Sequence, residues 1–411
     1  MPITDGVGWP MTPRSGEVKG LRARPAAFWL LACLLVTFLF GATAPSPLYS
    51  VYQALWDFSA STLTLIYAIY ALGALIALLV AGRLSDHVGR RWITALALVL
   101  QLAAMFAFIA ADGVGWLLAA RIVSGAATGI ATGTISAWLL DLQPADRPRL
   151  GSLVASTAIL GGLGLGGLVT SLLVDYGPDP LHLVFWMLAV VYAIGLASLP
   201  FLPDPVWRTP GWLRSLRPEI GVPHRARSAF AFSVPSLVAI WAVGGLHASL
   251  APSLAIALLD TESRVPGGVL IGALLCGAAA AAFVMRSGQP RVLLLAGSVV
   301  LVVGVAITLI AVVTGSAVAL YAGSVVAGLG FGPAFAGVLR TVAPLAPPES
   351  RGALLAAVYV VMYLAFSVPT VVAGFVVPYF GLRPTTLGYG VVAITLAAAT
   401  TVAVARRGDI A

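Results

Sequence analysis

Arg121 lies inside an apolar stretch, a few residues beyond Trp116. A guanidinium stays charged at any accessible pH. Within hydrocarbon it costs several kcal/mol unless it faces a wet cavity or a partner, so a functional placement is the default reading. Its place near one end of the stretch leaves open the alternative of reaching out to the membrane surface. Ser124 shares its helical face, and Gly125, Gly129 and Gly133 form a small-residue stripe suited to close helix packing. His247 lies in another apolar stretch. An imidazole there either carries protons near neutral pH or is held by hydrogen bonds as part of the packing. A third group is the loop Gly82-Arg83-Leu84-Ser85-Asp86-His87-Val88-Gly89-Arg90-Arg91, in which Asp86 is the one acid among three arginines. Its glycines permit a tight turn and a close approach of helices.

Other chemistries find no residues. Cys33 and Cys276 both fall in apolar stretches, so no disulfide framework or thiolate metal site is on offer. Lys19 is the only lysine and sits in no Gly-rich phosphate loop. There are no paired acids, no metal-spaced histidines and no nucleophile beside a base, which argues against an enzyme and predicts neither metal nor cofactor. A net charge of +8 would hint at nucleic acid on a soluble chain, but here the basic residues are spread over many short loops. No Asp or Glu falls clearly inside an apolar stretch: Asp141 and Asp260 are at ends, and Asp57, Asp112, Asp175 and Asp179 lie on the outer side.

These groups need elements to hold them. Apolar residues make up 60% of the 411 and charged residues 9%, against roughly 25% charged in a soluble domain. Lipid is the only solvent such a surface tolerates, and about 20 apolar residues cross its core of about 30 Å. Twelve spans are predicted, near 27–47, 61–82, 93–111, 115–140, 151–174, 182–202, 229–258, 267–285, 292–313, 317–339, 353–377 and 385–405. Trp29, Trp92, Trp116 and Trp138 stand at span ends, where indoles meet lipid headgroups. Of the 23 Lys and Arg, all but Arg121, Arg264 and Arg383 fall in the tails and the loops after even-numbered spans. That side, with both termini, is expected to be cytoplasmic. Ala42-Thr43-Ala44 has the form of a signal-peptide cleavage site, but Pro45 obstructs cutting and the stretch is long enough to span.

A Pro- and Arg-rich segment at 203–228 divides the chain. The expected organisation is a cytoplasmic tail (1–26), a six-helix bundle (27–202), a cytoplasmic central loop (203–228), a second bundle (229–405) and a short cytoplasmic tail (406–411). A shift of 203 places Gly125 on Gly328, Gly129 on Gly332, Pro144 on Pro347 and Asp146 on Glu349. A shift of 207 places Ala44-Pro45-Ser46 on Ala251-Pro252-Ser253. Such ordered matches point to duplicated halves. The fold class is therefore all-α integral membrane, with twelve transmembrane helices in two pseudo-symmetric six-helix bundles.

The loop at Gly82–Arg91 resembles the most specific motif of the major facilitator superfamily: Gly, three residues, Asp, a basic residue, any residue, Gly and two basic residues. His87 stands where Arg or Lys is usual. With the twelve spans, the long central loop and the repeat, the resemblance covers essentially the whole chain. It implies that Asp86 caps or pairs across to a neighbouring helix and locks an outward-facing arrangement, with Arg83, Arg90 and Arg91 anchored on the cytoplasmic face. The matching loop of the second half, Arg286-Ser287-Gly288-Gln289-Pro290-Arg291, lacks the acid. Arg121-Ile122-Val123-Ser124-Gly125 resembles the family's fourth-helix motif, whose arginine is implicated in proton handling in drug exporters. Gly151, Ala158, Gly162, Leu163, Gly164, Gly166 and Gly167 resemble the fifth-helix antiporter motif. Ala158 there replaces a glycine, and Leu163 replaces the proline thought to prevent leakage, departures that weigh against antiport.

A solute site is expected near the midplane between the halves. Candidate liners are Tyr67 and Tyr70, Trp241 and His247, Phe331 and Phe335, and Tyr359 and Tyr363. Ordinary helix packing is the alternative for each aromatic. The expected function is alternating-access secondary transport, with proton-coupled efflux of a hydrophobic or amphiphilic small molecule from a monomer in the inner (plasma) membrane. The rivals are a facilitator or proton symporter importing a small neutral metabolite and, more remotely, an integral-membrane enzyme or scaffold. The partners are then the small molecule, protons and membrane lipid, with no nucleic acid.

Overall fold

Within lipid every backbone N–H and C=O must be satisfied inside the chain, which leaves an apolar stretch the helix. The computed structural model describes residues 15–81, 84–147, 149–204, 206, 217, 219–347 and 350–406, and no strand occurs among them. Twelve helices are long and apolar enough to cross a membrane: Pro25–Thr43, Ala60–Ala81, Arg90–Ile109, Val114–Leu142, Leu150–Tyr176, Leu183–Phe201, His224–Ser249, Val265–Val284, Pro290–Thr314, Ala317–Leu345, Arg351–Phe380 and Leu382–Arg406. They are the first to twelfth spans below. Large apolar side chains such as Ile76, Ile194 and Val318 stay exposed on their outer surface, as a surface bathed in lipid tails allows.

Two spans are shorter than the sequence predicts. The stretches at 27–47 and 229–258 break at Thr43 and Ser249, and the short helices Tyr49–Trp56 and Ala251–Leu259 follow. Pro45 and Pro252 sit at the breaks, and proline has no N–H to give to the preceding turn. Both short helices end on an aspartate in the left-handed region, Asp57 and Asp260, each at φ 46°. Asp tolerates that region better than most side chains. The two stand 203 residues apart (260 − 57), the spacing that relates Gly125 to Gly328.

The repeat is also a repeated helix crossing. A Cβ on Gly125 or Gly129 would strike the backbone of Tyr70 or Ala74 on the second span, and one on Gly328 or Gly332 would strike Leu274 or Ala278 on the eighth. In the fifth span the glycines serve two faces. Gly162 and Gly166 meet the backbone of Val36 and Phe40 on the first span, while Gly164 and Gly167 meet Cys276 and Ile271 on the eighth. One large apolar cluster draws mainly on the first six spans and another mainly on the last six. Trp138 departs from its expected place at the headgroups. It is fully buried in the first cluster, and its indole N–H donates to the Pro203 carbonyl at 3.0 Å. Trp29, Trp92 and Trp116 are exposed, as expected.

Candidate functional site

The fourth span carries Arg121 inward, with no exposed surface at all. Its Nη1 donates to the Ala42 carbonyl at 2.7 Å, at the end of the first span, and its Nε donates to the Tyr49 hydroxyl. The rings of Tyr49, Tyr67 and Tyr70 surround the guanidinium, with centroids 5.1, 5.6 and 4.9 Å from Cζ. Aromatic faces attract a cation and are worth more when desolvated. No carboxylate pairs with Arg121 among the described residues, and its Nη2 has no hydrogen-bond partner. The arginine does not reach out to the membrane surface. One turn further, Ser124 is buried and accepts from the Gln101 amide at 3.2 Å. Tyr192 lies in the same network, donating to the Thr37 carbonyl at 2.9 Å.

The remaining candidates divide into two groups. Trp241 of the seventh span meets Phe331 and Phe335 of the tenth edge to face, at 5.5 and 5.6 Å, and its buried indole N–H has no partner. Tyr359 packs against this group, and Tyr363 packs with Tyr70 and Ala42 where the second and eleventh spans meet. His247 is held at both ring nitrogens. Nδ1 lies 2.9 Å from the Val243 carbonyl and Nε2 lies 3.1 Å from Ser324 Oγ, so the imidazole ties the seventh span to the tenth. A carbonyl can only accept, which places a proton on Nδ1.

A cavity of about 930 Å³ opens on the face that carries the arginine-rich loops. Arg147, Arg149, Arg286 and Arg340 rim it, and Leu160, Gly332 and Phe335 line its deeper wall. From Arg149 to Leu160 the helix descends roughly 15 Å, about half the thickness of a bilayer core. A second crevice, of about 550 Å³, lies between the seventh, eleventh and twelfth spans. Its walls are almost wholly apolar and it gathers no convergent polar groups, so it lacks the means to orient a solute.

On the same arginine-rich face, Asp86 pairs with Arg90 four residues on, at 2.5 Å, and Arg90 Nε reaches Asp141 at the end of the fourth span, at 3.1 Å. Asp86 is half exposed, and its ion pair stays within the first half. Through Arg90, at the start of the third span, the loop is thus tied to the end of the fourth. Asp204, which the sequence did not single out, accepts from the backbone N–H groups of Arg90 and Arg91 at 3.3 and 3.1 Å and so caps the third span. Arg91 also donates to the Leu202 carbonyl. Gly89 has φ 105°, a value that favours glycine. Gly82 and Arg83 lie outside the described residues.

On the opposite face the two halves are hydrogen-bonded together. Asp175, in the last turn of the fifth span, accepts from Ser263 Oγ at 2.5 Å, from Arg264 N–H at 2.9 Å and from Val265 N–H at 3.3 Å. A carboxylate from one half thus caps the N-terminus of the eighth span in the other, where unpaired N–H groups and the helix dipole favour an anion. Neither Asp175 nor Tyr49 carries a sequence signal of this role, because their partners lie on distant parts of the chain.

Twelve spans, a cavity between the fifth, eighth and tenth that opens to one face, and a hydrogen-bonded contact between the halves at the other fit a membrane transporter of the helical, two-bundle type. The Major Facilitator Superfamily profile matches residues 30–288, more than half of the sequence, and the chain belongs to that family. A bacterial homologue of the human lysosomal transporter Spinster, crystallised in an inward-facing and unoccupied conformation, is similar in fold. It shares 16% identity over 93% of this chain and 97% of its own, with a TM-score of 0.70. The nucleoside transporter NupG, crystallised as a mutant, shares 15% identity over 92% of this chain and 99% of its own, with a TM-score of 0.66. At these identities the likeness concerns the fold alone. No curated protein sequence matches the chain.

Proposed function

We propose that this protein is a secondary active transporter working by alternating access, which exports a hydrophobic or amphiphilic small molecule in exchange for protons. The observation that carries the reading is the large cavity on the arginine-rich face, set against the Asp175 closure on the other. By the positive-inside rule the open face is cytoplasmic, both termini lie there, and the conformation is inward-facing. The halves at 27–202 and 229–405 then rock about a centre near Tyr70, Tyr363, Phe331 and Phe335. The solute enters from the cytoplasm, and the protein acts as a monomer in the plasma membrane. Arg121, wrapped by three tyrosines and lacking a counter-charge, supports a role in coupling.

A facilitator or importer of a small neutral metabolite is the second reading. It is favoured by the absence of an acid deep within any described span and by Leu163 in the place of a proline. Counterflow in proteoliposomes under an imposed proton gradient separates the two. Proton-coupled efflux requires solute flux to rise with the gradient, and a flux indifferent to it leaves the facilitator.

A further inference from the structure

We propose that the cavity takes an amphiphilic organic anion, an apolar body with one carboxylate, phosphate or sulfonate head. The proposal rests on the transport reading above and names its class of solute. The rim presents Arg147, Arg149, Arg286 and Arg340, and none of the described residues that line the cavity is acidic. Positive-inside ordering accounts for arginines on this face. It does not account for the missing carboxylates, because elsewhere on the same face arginine is neutralised. Arg90 is held between Asp86 and Asp141, and Asp204 caps the adjoining backbone.

Among the described residues around the cavity the acid at hand is Asp146, just outside the lining and 3.6 Å from Arg147, with both side chains largely exposed. Such a pair contributes little. Arg286 and Arg340 donate to the carbonyls of Phe283 and Gly288, at 3.1 and 3.3 Å. These bonds orient the guanidinium groups and leave their charge in place. Below the rim the wall turns apolar at Leu153, Leu160, Phe335 and Leu339. A cationic mouth over an apolar floor is complementary to an anionic head on an apolar body.

A second observation points the same way. Further along the fold, Arg121 is a wholly buried cation with no carboxylate partner and a free Nη2. Tyr70 covers it at 4.9 Å and packs with Leu163, one turn beyond Leu160 of the cavity wall. A solute moving inward beyond Leu160 thus nears a second cation, set behind the Tyr70 ring. A cationic solute meets repulsion at both, and a neutral one leaves both without a counter-charge.

Three fluorescent probes sharing one apolar body test the proposal: dansylglycine (anionic), dansylamide (neutral) and dansylcadaverine (cationic). The full-length protein is reconstituted in phosphatidylcholine vesicles, and binding and counterflow are read on the same preparation. Dansylglycine is expected to bind at least about tenfold more tightly than dansylcadaverine, and the Arg149→Gln/Arg286→Gln double variant to lose about tenfold for dansylglycine alone. Equal or tighter binding of dansylcadaverine overturns the proposal, as does a double variant that binds dansylglycine like the native protein. Vesicles enriched in phosphatidylglycerol separate the two sources of anion: complete displacement of dansylglycine by that lipid makes the rim a headgroup site and also overturns it. Counterflow keeps the two readings apart. Dansylcadaverine carried while dansylglycine is not sinks the anion proposal and leaves the transporter. Dansylglycine bound selectively but never carried leaves the anion site and sinks the transport reading.

Discussion

A buried guanidinium held by one carbonyl, one phenol and three aromatic rings is stable enough to fold and remains short of a counter-charge. Arginine suits the position because its planar fork can reach Ala42 and Tyr49 together, whereas a lysine ammonium offers a single point of charge. Arg121→Ala is therefore expected to lower transport by about a hundredfold and Arg121→Lys by about tenfold, as charge-assisted hydrogen bonds are lost in steps. Flux in proteoliposomes measures both, and native activity in both variants would show the charge to be idle. His247 asks for a different pair of substitutions. His247→Gln can keep a donor for Val243 and an acceptor for Ser324, so transport should stay within about twofold of native. His247→Ala loses two bonds of about 0.5–1.5 kcal/mol each and should lower the unfolding midpoint in detergent. A pH dependence of flux that disappears in the Gln variant would instead make His247 a proton carrier. The sequence named both residues because charge and imidazole are rare in apolar stretches. It could not name Tyr49 or Ser324, which are ordinary residues until they are brought beside them.

Between elements, the contact that decides the shape of the cavity is the seal at its far end. Asp175 and its partners at 263–265 are almost ninety residues apart, on spans that belong to different halves. Removing a helix cap costs about 1–2 kcal/mol, enough to shift a poised equilibrium between open and closed gates by roughly tenfold. Asp175→Ala should accordingly expose the buried fifth-to-eighth span contact at Ser171. The check is a Ser171→Cys probe, in a background lacking Cys33 and Cys276, labelled with a membrane-impermeant maleimide from the face opposite the arginine-rich loops. Faster labelling in the Asp175→Ala variant is the expected result, and an unchanged rate would mean that packing alone holds the gate shut. Some of this level was legible beforehand. The Ala-Pro-Ser repeat marks equivalent places in the two halves, yet local hydropathy runs straight through Pro45 and Pro252 and hides the breaks there.

For the molecule as a whole, the direction of charge movement ties the proposals together. Export of one monoanion for one proton entering moves two elementary charges, and each is worth about 2.3 kcal/mol per 100 mV. With the arginine-rich face inside, an inside-negative potassium diffusion potential should accelerate dansylglycine efflux, followed by its fluorescence outside the vesicles. An efflux blind to the potential would mean an electroneutral exchange.

From its own letters the chain determined residence in lipid, twelve crossings, the gathering of arginine on one side and a repeat relating the two halves. These follow from hydropathy, charge and spacing, which accumulate residue by residue and need no partner. Tertiary structure alone decided which face the cavity opens toward, that Trp138 packs inside rather than at the headgroups, that Arg121 has phenols and, among the described residues, no acid paired with it, and that Asp175 joins the two halves on the far side. Each of those depends on which helices touch, and such contacts join residues far apart in the sequence.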